Sequence, residues 1–209
     1  MLYQPPMADL RRSGVQVQAQ GVSSQGREKC YLHRVLHQPR QPHRSSRPAG
    51  GVIRLTINDD LTTPAGLDKA FRAINTPNAI IILFGALPCT GGSQWQRLNW
   101  HRGDANTRRK ILEHRRIFRV LWKNFVIAAE QCIALEGGVA FEWPRGCTYW
   151  HDRSVRSFIK RHNLTEIQFD GCMYGLTSHV PGMPIRKPWM VATTIKEMSL
   201  LGRKCDQGR

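Results

Sequence analysis

The chain has 209 residues, room for one ordinary domain with its own core or for a domain and a tail. Its formal charge of +16 and isoelectric point near 10.4 lie far from the balance of a metabolic enzyme. They point to nucleic acid or another polyanion, with a plain solvated basic surface as the alternative.

Residues 1 to about 50 contain no Ile, Phe or Trp and are crowded with Gln, Arg, Ser, Pro and His. Such a stretch cannot bury enough apolar surface to offset its chain entropy, so a disordered basic tail is expected. Its Arg and Ser with few acids also suit an organelle targeting segment, and the abrupt change at Gly51 also suits a stretch read in a non-native frame. The set Cys30, His33, His37 and His43 has loosely metal-like spacing but lacks a second cysteine. The chain shows no apolar run of about 18 residues, so no membrane partner is expected, and no secretory signal core is present.

From Val52 onward short apolar runs alternate with helical stretches. Residues 52–57 read as a strand ending at Asn58-Asp59-Asp60. A helix follows over 63–74, with Thr63 as N-cap and Pro64 at its first position. Residues 79–84 are wholly apolar, as in a strand buried on both faces of a parallel sheet. After a loop from Gly85 to about Ala105 comes a long helix over 107–135, whose first half is covered with Arg and Lys and which Gly137-Gly138 stops. A strand at 139–141 runs into Glu142-Trp143-Pro144. A helix over 152–162, a strand over 166–169, the loop Asp170-Gly171-Cys172 and a last strand over 188–193 complete the chain. Such alternation implies right-handed crossovers and a Rossmann-like, mainly parallel α/β sheet with helices on both faces, spanning 51–200 and followed by a basic tail at 201–209.

In an open parallel sheet ligands bind beyond the carboxyl ends of the strands. The polar residues collect there: Asp59 and Asp60 after the first strand of the domain, Pro88-Cys89-Thr90 after the next, then Glu142, then Asp170 to Cys172. Each has an ordinary structural reading as a cap, a small core residue or an ion-pair partner. Six cysteines, at 30, 89, 132, 147, 172 and 205, form no C-x-x-C pair, so no disulfide framework or zinc ribbon is visible and a reducing compartment is expected.

The segment Leu87-Pro88-Cys89-Thr90-Gly91-Gly92-Ser93 resembles the Pro-Cys nucleophile loop of cytosine-C5 methyltransferases. Phe141-Glu142-Trp143 falls one helix and one strand later, where that family carries Glu-Asn-Val. Met173-Tyr174-Gly175-Leu176 and the run from Ile185 to Ala192 resemble its Tyr-Gly-Val segment, basic residues and final strand. Asp59-Asp60-Leu61 resembles the acidic turn that faces the cofactor adenine. The likeness covers residues 52–195, with Leu87, Thr90, Trp143 and Pro144 departing from the family's residues. Before Val52 no strand leads into the glycine-rich loop that grips the cofactor. A second likeness, carried by Pro88-Cys89-Thr90, Phe141-Glu142-Trp143-Pro144 and Lys187-Pro188-Trp189, is to uncharacterised reading frames of mobile elements in microbial-eukaryote genomes.

The resemblance implies an S-adenosylmethionine-dependent transferase acting on cytosine in nucleic acid. Cys89 would add to C6 of the ring as a thiolate. Glu142 would donate to N3 and Arg186 would hold that carboxyl group or a phosphate, while Asp59, Asp60 and Pro88 would meet the cofactor. A thiolate at Cys89 needs a lowered pKa, for which Arg97, Arg102 and the backbone of Gly91 and Gly92 are candidates. Arg108, Arg109, Lys110, Arg115 and Arg116 on the basic helix would grip the backbone of DNA, preferred here to RNA, while a base is flipped out. The alternatives are a non-catalytic nucleic-acid-binding protein and a degenerate mobile-element fragment. The nucleus is the expected compartment, with the cytoplasm or an organelle as alternatives. Trp95, Trp100, Trp143, Trp150 and Trp189 read equally as base-stacking or core residues, and Cys147 with His151 as packing before metal ligands.

Overall fold

Aliphatic runs bounded by Asn, Asp, Gly or Pro become strands, and the stretches of three- and four-residue periodicity become helices. The structure, a computed structural model, describes residues 29–36, 51–178 and 182–206. In chain order it contains β1 (Lys29–Leu36), β2 (Gly51–Thr56), α1 (Pro64–Ile74), β3 (Ala79–Ala86), α2 (Trp95–Arg102), α3 (Ala105–Ala134), β4 (Gly138–Pro144), α4 (Arg153–Arg161), β5 (Thr165–Asp170) and β6 (Pro188–Thr193). Short 3-10 turns follow β2, β3, β5 and β6 and precede α4.

The strands form one sheet in the order β2-β1-β3-β4-β6-β5. Of the pairings, only β3 with β4 is parallel; β1 with β2, β1 with β3, β4 with β6 and β5 with β6 are antiparallel. The expected mainly parallel sheet is therefore corrected to a mixed one. The strand directions nevertheless carry part of the expectation. Reversing twice across β1 and twice across β6 leaves β2, β3, β4 and β5 all pointing the same way, with their carboxyl ends on one edge. Among its described residues the link from β5 to β6 contains no α-helix, and without a crossover a strand returns antiparallel.

The tail expected over 1–50 falls outside the described residues except at Lys29–Leu36, which form β1. There the apolar Tyr31, Leu32, Val35 and Leu36 are diluted by Lys, His and Arg, which hides the strand from a composition reading.

Residues of α1, α3 and α4 share one core with one face of the sheet, built from Leu55, Leu83, Phe125, Phe141, Trp143 and Phe158 among others. The opposite face carries only a small cluster, Ala140, Ile167 and Val191 under Met198 and Leu201 of the 3-10 turn Lys196–Leu201. Helices on both faces are thus a second expectation that the structure corrects. β3 shows the consequence: Ile81, Leu83 and Leu87 are buried toward the helices, while Ile80 is 45% exposed on the other side. Gly85 belongs to the helix-facing row, where a Cβ would lie 2.6 Å from the Phe125 ring. The missing side chain lets α3 settle against β3.

The centre of the main core is aromatic. Trp122 and Phe125 of α3 meet Phe141 of β4 at ring distances of 5.1 and 5.9 Å, and Trp143 meets Trp150 edge-on at 4.9 Å. Phe125 is fully buried. Phe125→Ala is expected to lower the unfolding free energy by roughly 3–5 kcal/mol in urea denaturation; a loss below roughly 1 kcal/mol would show that the core collapses around the gap.

Candidate nucleophile site at the sheet edge

The carboxyl edge of β2, β3, β4 and β5 gathers the polar residues singled out above. The loop after β3 is fixed there by its carbonyl groups. The buried Trp143 indole N–H donates to the Leu87 carbonyl at 2.8 Å, Arg115 Nε donates to Gly91 O at 3.2 Å, and Thr148 Oγ1 donates to Gly92 O at 3.2 Å. Gly92 lies flat against the 3-10 turn Thr148–His151 and the residue before it, where a Cβ would come within 2.9 Å of Cys147 Sγ and of the Tyr149 ring. These bonds hold Pro88 and Cys89, both half-buried, at the end of β3.

Glu142 lies in β4 opposite Val191 of β6. Residues facing each other across an antiparallel pair share a face, and alternation then puts Trp189 on that face as well. Lys187 Nζ sits 4.5 Å above the Trp189 ring. From there it acts on both candidate catalytic groups: its charge draws down the Glu142 carboxyl and the Cys89 thiol. Burial outweighs it in both cases. Burial pushes Glu142 up to about 7, so the group is a proton donor near neutral pH. Burial also pushes the Cys89 thiol up, and a charged Glu142 pushes it further. The thiolate is therefore not the resting form at neutral pH.

Comparison with known proteins returned no match to a family model, to a curated protein or to a solved structure. The site is accordingly read from its own geometry.

Arg186 pairs with the fully buried Asp170, with Nε 3.5 Å from Oδ2. Lys187 takes the place at Glu142 that the sequence reading gave to Arg186. Arg97 and Arg102 lie exposed on α2, and the charges that act on Cys89 are Lys187 and Glu142 instead. The Gly92 N–H is taken by the Cys89 carbonyl at 2.9 Å.

Asp59 and Asp60 reach the same edge but are engaged in building the start of α1. Asp59 Oδ2 accepts from Thr56 N at 2.8 Å, and its Oδ1 pairs with Lys69. Asp60 Oδ1 accepts from the backbone N–H and the hydroxyl of Thr62 at 3.0 and 2.6 Å.

On α3 the basic residues divide. Arg115 is half-buried and structural, holding Gly91 O and lying 5.7 Å from the Trp100 ring centre. Arg116 makes a two-bond pair with Glu113 at 2.9 and 2.8 Å. Arg108 donates across to Trp100 O of α2 and Arg109 to Asn106 Oδ1 of α3, and both stay exposed together with Lys110. Of the tryptophans, Trp143 and Trp150 are core residues, while Trp95 is 73% exposed on α2 beside the Cys89 loop. Cys147 is buried and His151 exposed, and among the described residues no group of three metal-ligating side chains forms.

The raised Glu142 pKa gives a signed prediction. The folded state keeps a proton that the unfolded state releases between about pH 4.5 and 7, so Glu142 lowers stability progressively as pH rises through that window. Glu142→Gln is expected to gain on the wild type by up to about 3 kcal/mol between pH 4.5 and pH 8 in paired urea titrations. Equal offsets at both ends would contradict the burial of a carboxyl group there.

Proposed function

We propose that this chain is a cytosine-C5 methyltransferase-like protein that addresses a pyrimidine base of nucleic acid through the Cys89–Glu142 edge of its mixed α/β sheet. One observation carries the reading: β3 and β4 run side by side and parallel, so the loop that holds Cys89 and the strand that holds Glu142 meet at one edge, with the charges of Glu142 and Lys187 both acting on the thiol. In the proposed step the Cys89 thiol releases its proton to solvent and Sγ bonds to C6 of the ring. The C5=C6 electron pair moves toward C5 and N3, and Glu142, protonated in part at neutral pH, donates at N3. Lys187 stabilises the thiolate as it forms. The exposed Arg108, Arg109 and Lys110 hold the backbone, and Trp95 offers a stacking surface for a displaced base. DNA is the substrate tested first, and the nucleus the compartment in which it would be met.

S-adenosylmethionine is the cofactor that the resemblance implies, and the residues assigned to it do not fit. Both Asp59 oxygens are engaged within the turn, Asp60 Oδ1 is taken twice by Thr62, and β2 passes through that turn directly into α1. A groove of about 510 Å³, lined by Thr62, Pro64, Leu67, Arg119, Val120, Lys123 and Asn124, includes neither aspartate nor Pro88. No methyl-transfer step is derived.

A second reading, a nucleic-acid-binding protein without catalysis, is favoured by the burial that keeps Cys89 a thiol. DNA containing 5-azacytosine separates the two, because ring position 5 then accepts a proton and the thiol adduct persists without a methyl donor. A denaturation-resistant complex that disappears in Cys89→Ser supports the nucleophile reading. Salt-sensitive binding alone, equal in wild type and Cys89→Ser, supports the second and contradicts the first.

A further inference from the structure

The described cysteines differ in their surroundings. Cys132 and Cys147 are buried in the main core, and burial pushes their thiols up to about 11 and about 12. Cys172 and Cys205 are half-buried, and the Cys172 thiol is pushed up first by burial and then by the neighbouring Cys205. Cys172 belongs to the 3-10 turn Gly171–Tyr174 after β5, and Cys205 lies 33 residues later in the C-terminal segment.

Hydrogen bonds bring the segment that carries Cys205 to the end of β5, two residues before Cys172. Asp170 N donates to Arg203 O at 2.9 Å, and Cys205 N donates to Asp170 Oδ2 at 2.9 Å. Two residues beyond Cys172, the Tyr174 hydroxyl donates to Leu201 O at 2.8 Å. The C-terminal segment is thus stitched to the end of β5 on both sides of the thiol pair. Asp170 sits in the middle of the stitching: fully buried, with Oδ2 shared between Cys205 N and Arg186 and with Oδ1 unpartnered.

We propose that Cys172 and Cys205 form a reversible disulfide that fastens the C-terminal segment over Asp170 and the end of β5. The oxidant is a small disulfide of the glutathione type. The thiolate of one cysteine attacks it, the small disulfide's S–S bond breaks, and one glutathione thiol leaves with the proton. The second cysteine then attacks the mixed disulfide and releases the other glutathione thiol. Two protein thiols become one disulfide, and one glutathione disulfide becomes two thiols. In a reducing compartment such a pair stays open and closes only under oxidation, as a redox-sensing pair does. The closed ring contains Arg186, Lys187 and the whole of β6, so its state bears on how firmly Asp170 and Arg186 are held. The proposal stands whatever chemistry Cys89 performs.

The test is peptide mapping of the full-length reduced protein after incubation with oxidised glutathione, alkylation of free thiols and digestion without reductant. The expected product is one cross-linked peptide pair joining Cys172 to Cys205, lighter by two hydrogens and reopened by dithiothreitol. Closing a ring of this length is expected to raise Tm by about 10 °C over the reduced protein. That rise should be absent in Cys205→Ser treated alike. Glutathione adducts that never resolve into a link, or links through Cys89–Cys147 or between chains in its place, would overturn the proposal. A link that forms without any rise in Tm would overturn the fastening.

Discussion

The hydrogen bond from the Trp143 indole to the Leu87 carbonyl is the constraint on which the candidate site depends. Trp143 is almost fully buried, packed edge-on against Phe118, Phe141, Tyr149 and Trp150, so its N–H points from a fixed ring. A buried carbonyl that loses such a donor costs roughly 1–3 kcal/mol. The same bond that completes the aromatic core therefore also ties the loop after β3 to β4. Arg115 and Thr148 extend the tie to Gly91 and Gly92. Core packing and placement of Cys89 are consequently one problem, solved by residues of β4, α3 and the turn before α4.

The charges at the edge follow from what that tie brings together. Glu142 and Cys89 each lose hydration on burial, which favours their neutral forms, and Lys187 opposes this in both. With Lys187 resting over Trp189, its ammonium group is held by a ring as well as by charge. A carboxyl group with a pKa of about 7 beside a thiol held above its usual range makes the pair mutually sensitive: deprotonating either makes deprotonating the other harder. Such a pair suits a step in which a thiolate forms only as a ring nitrogen takes up a proton.

Much of the architecture was legible in the sequence because its signals were local. Thr63 does cap α1, accepting from Gly66 N at 3.2 Å with Pro64 beside it, and α3 and β3 to β6 lie within a few residues of their expected bounds. α2 carries no such signal, because Trp95–Arg102 is polar nearly all round and Gln94 makes no side-chain capping bond. The strand pairing was not legible, since β1 enters between β2 and β3 and β6 between β4 and β5, each gaining one partner that is not its neighbour in sequence. Lys187 was missed for a geometric reason. Arg186 and Lys187 are adjacent cations just before β6, and nothing local in the sequence separates them. The fold does: Arg186 pairs with Asp170, while Lys187 lies over Trp189, on the face that Glu142 shares.

The most direct test of the account is the pH dependence of Cys89 alkylation, followed on the Cys89 peptide, in the wild type, Glu142→Gln and Lys187→Met. The account predicts a wild-type midpoint above that of an ordinary thiol, a lower midpoint in Glu142→Gln and a higher one in Lys187→Met. A midpoint unchanged in both variants would contradict the claim that the edge holds these three groups as one electrostatic unit.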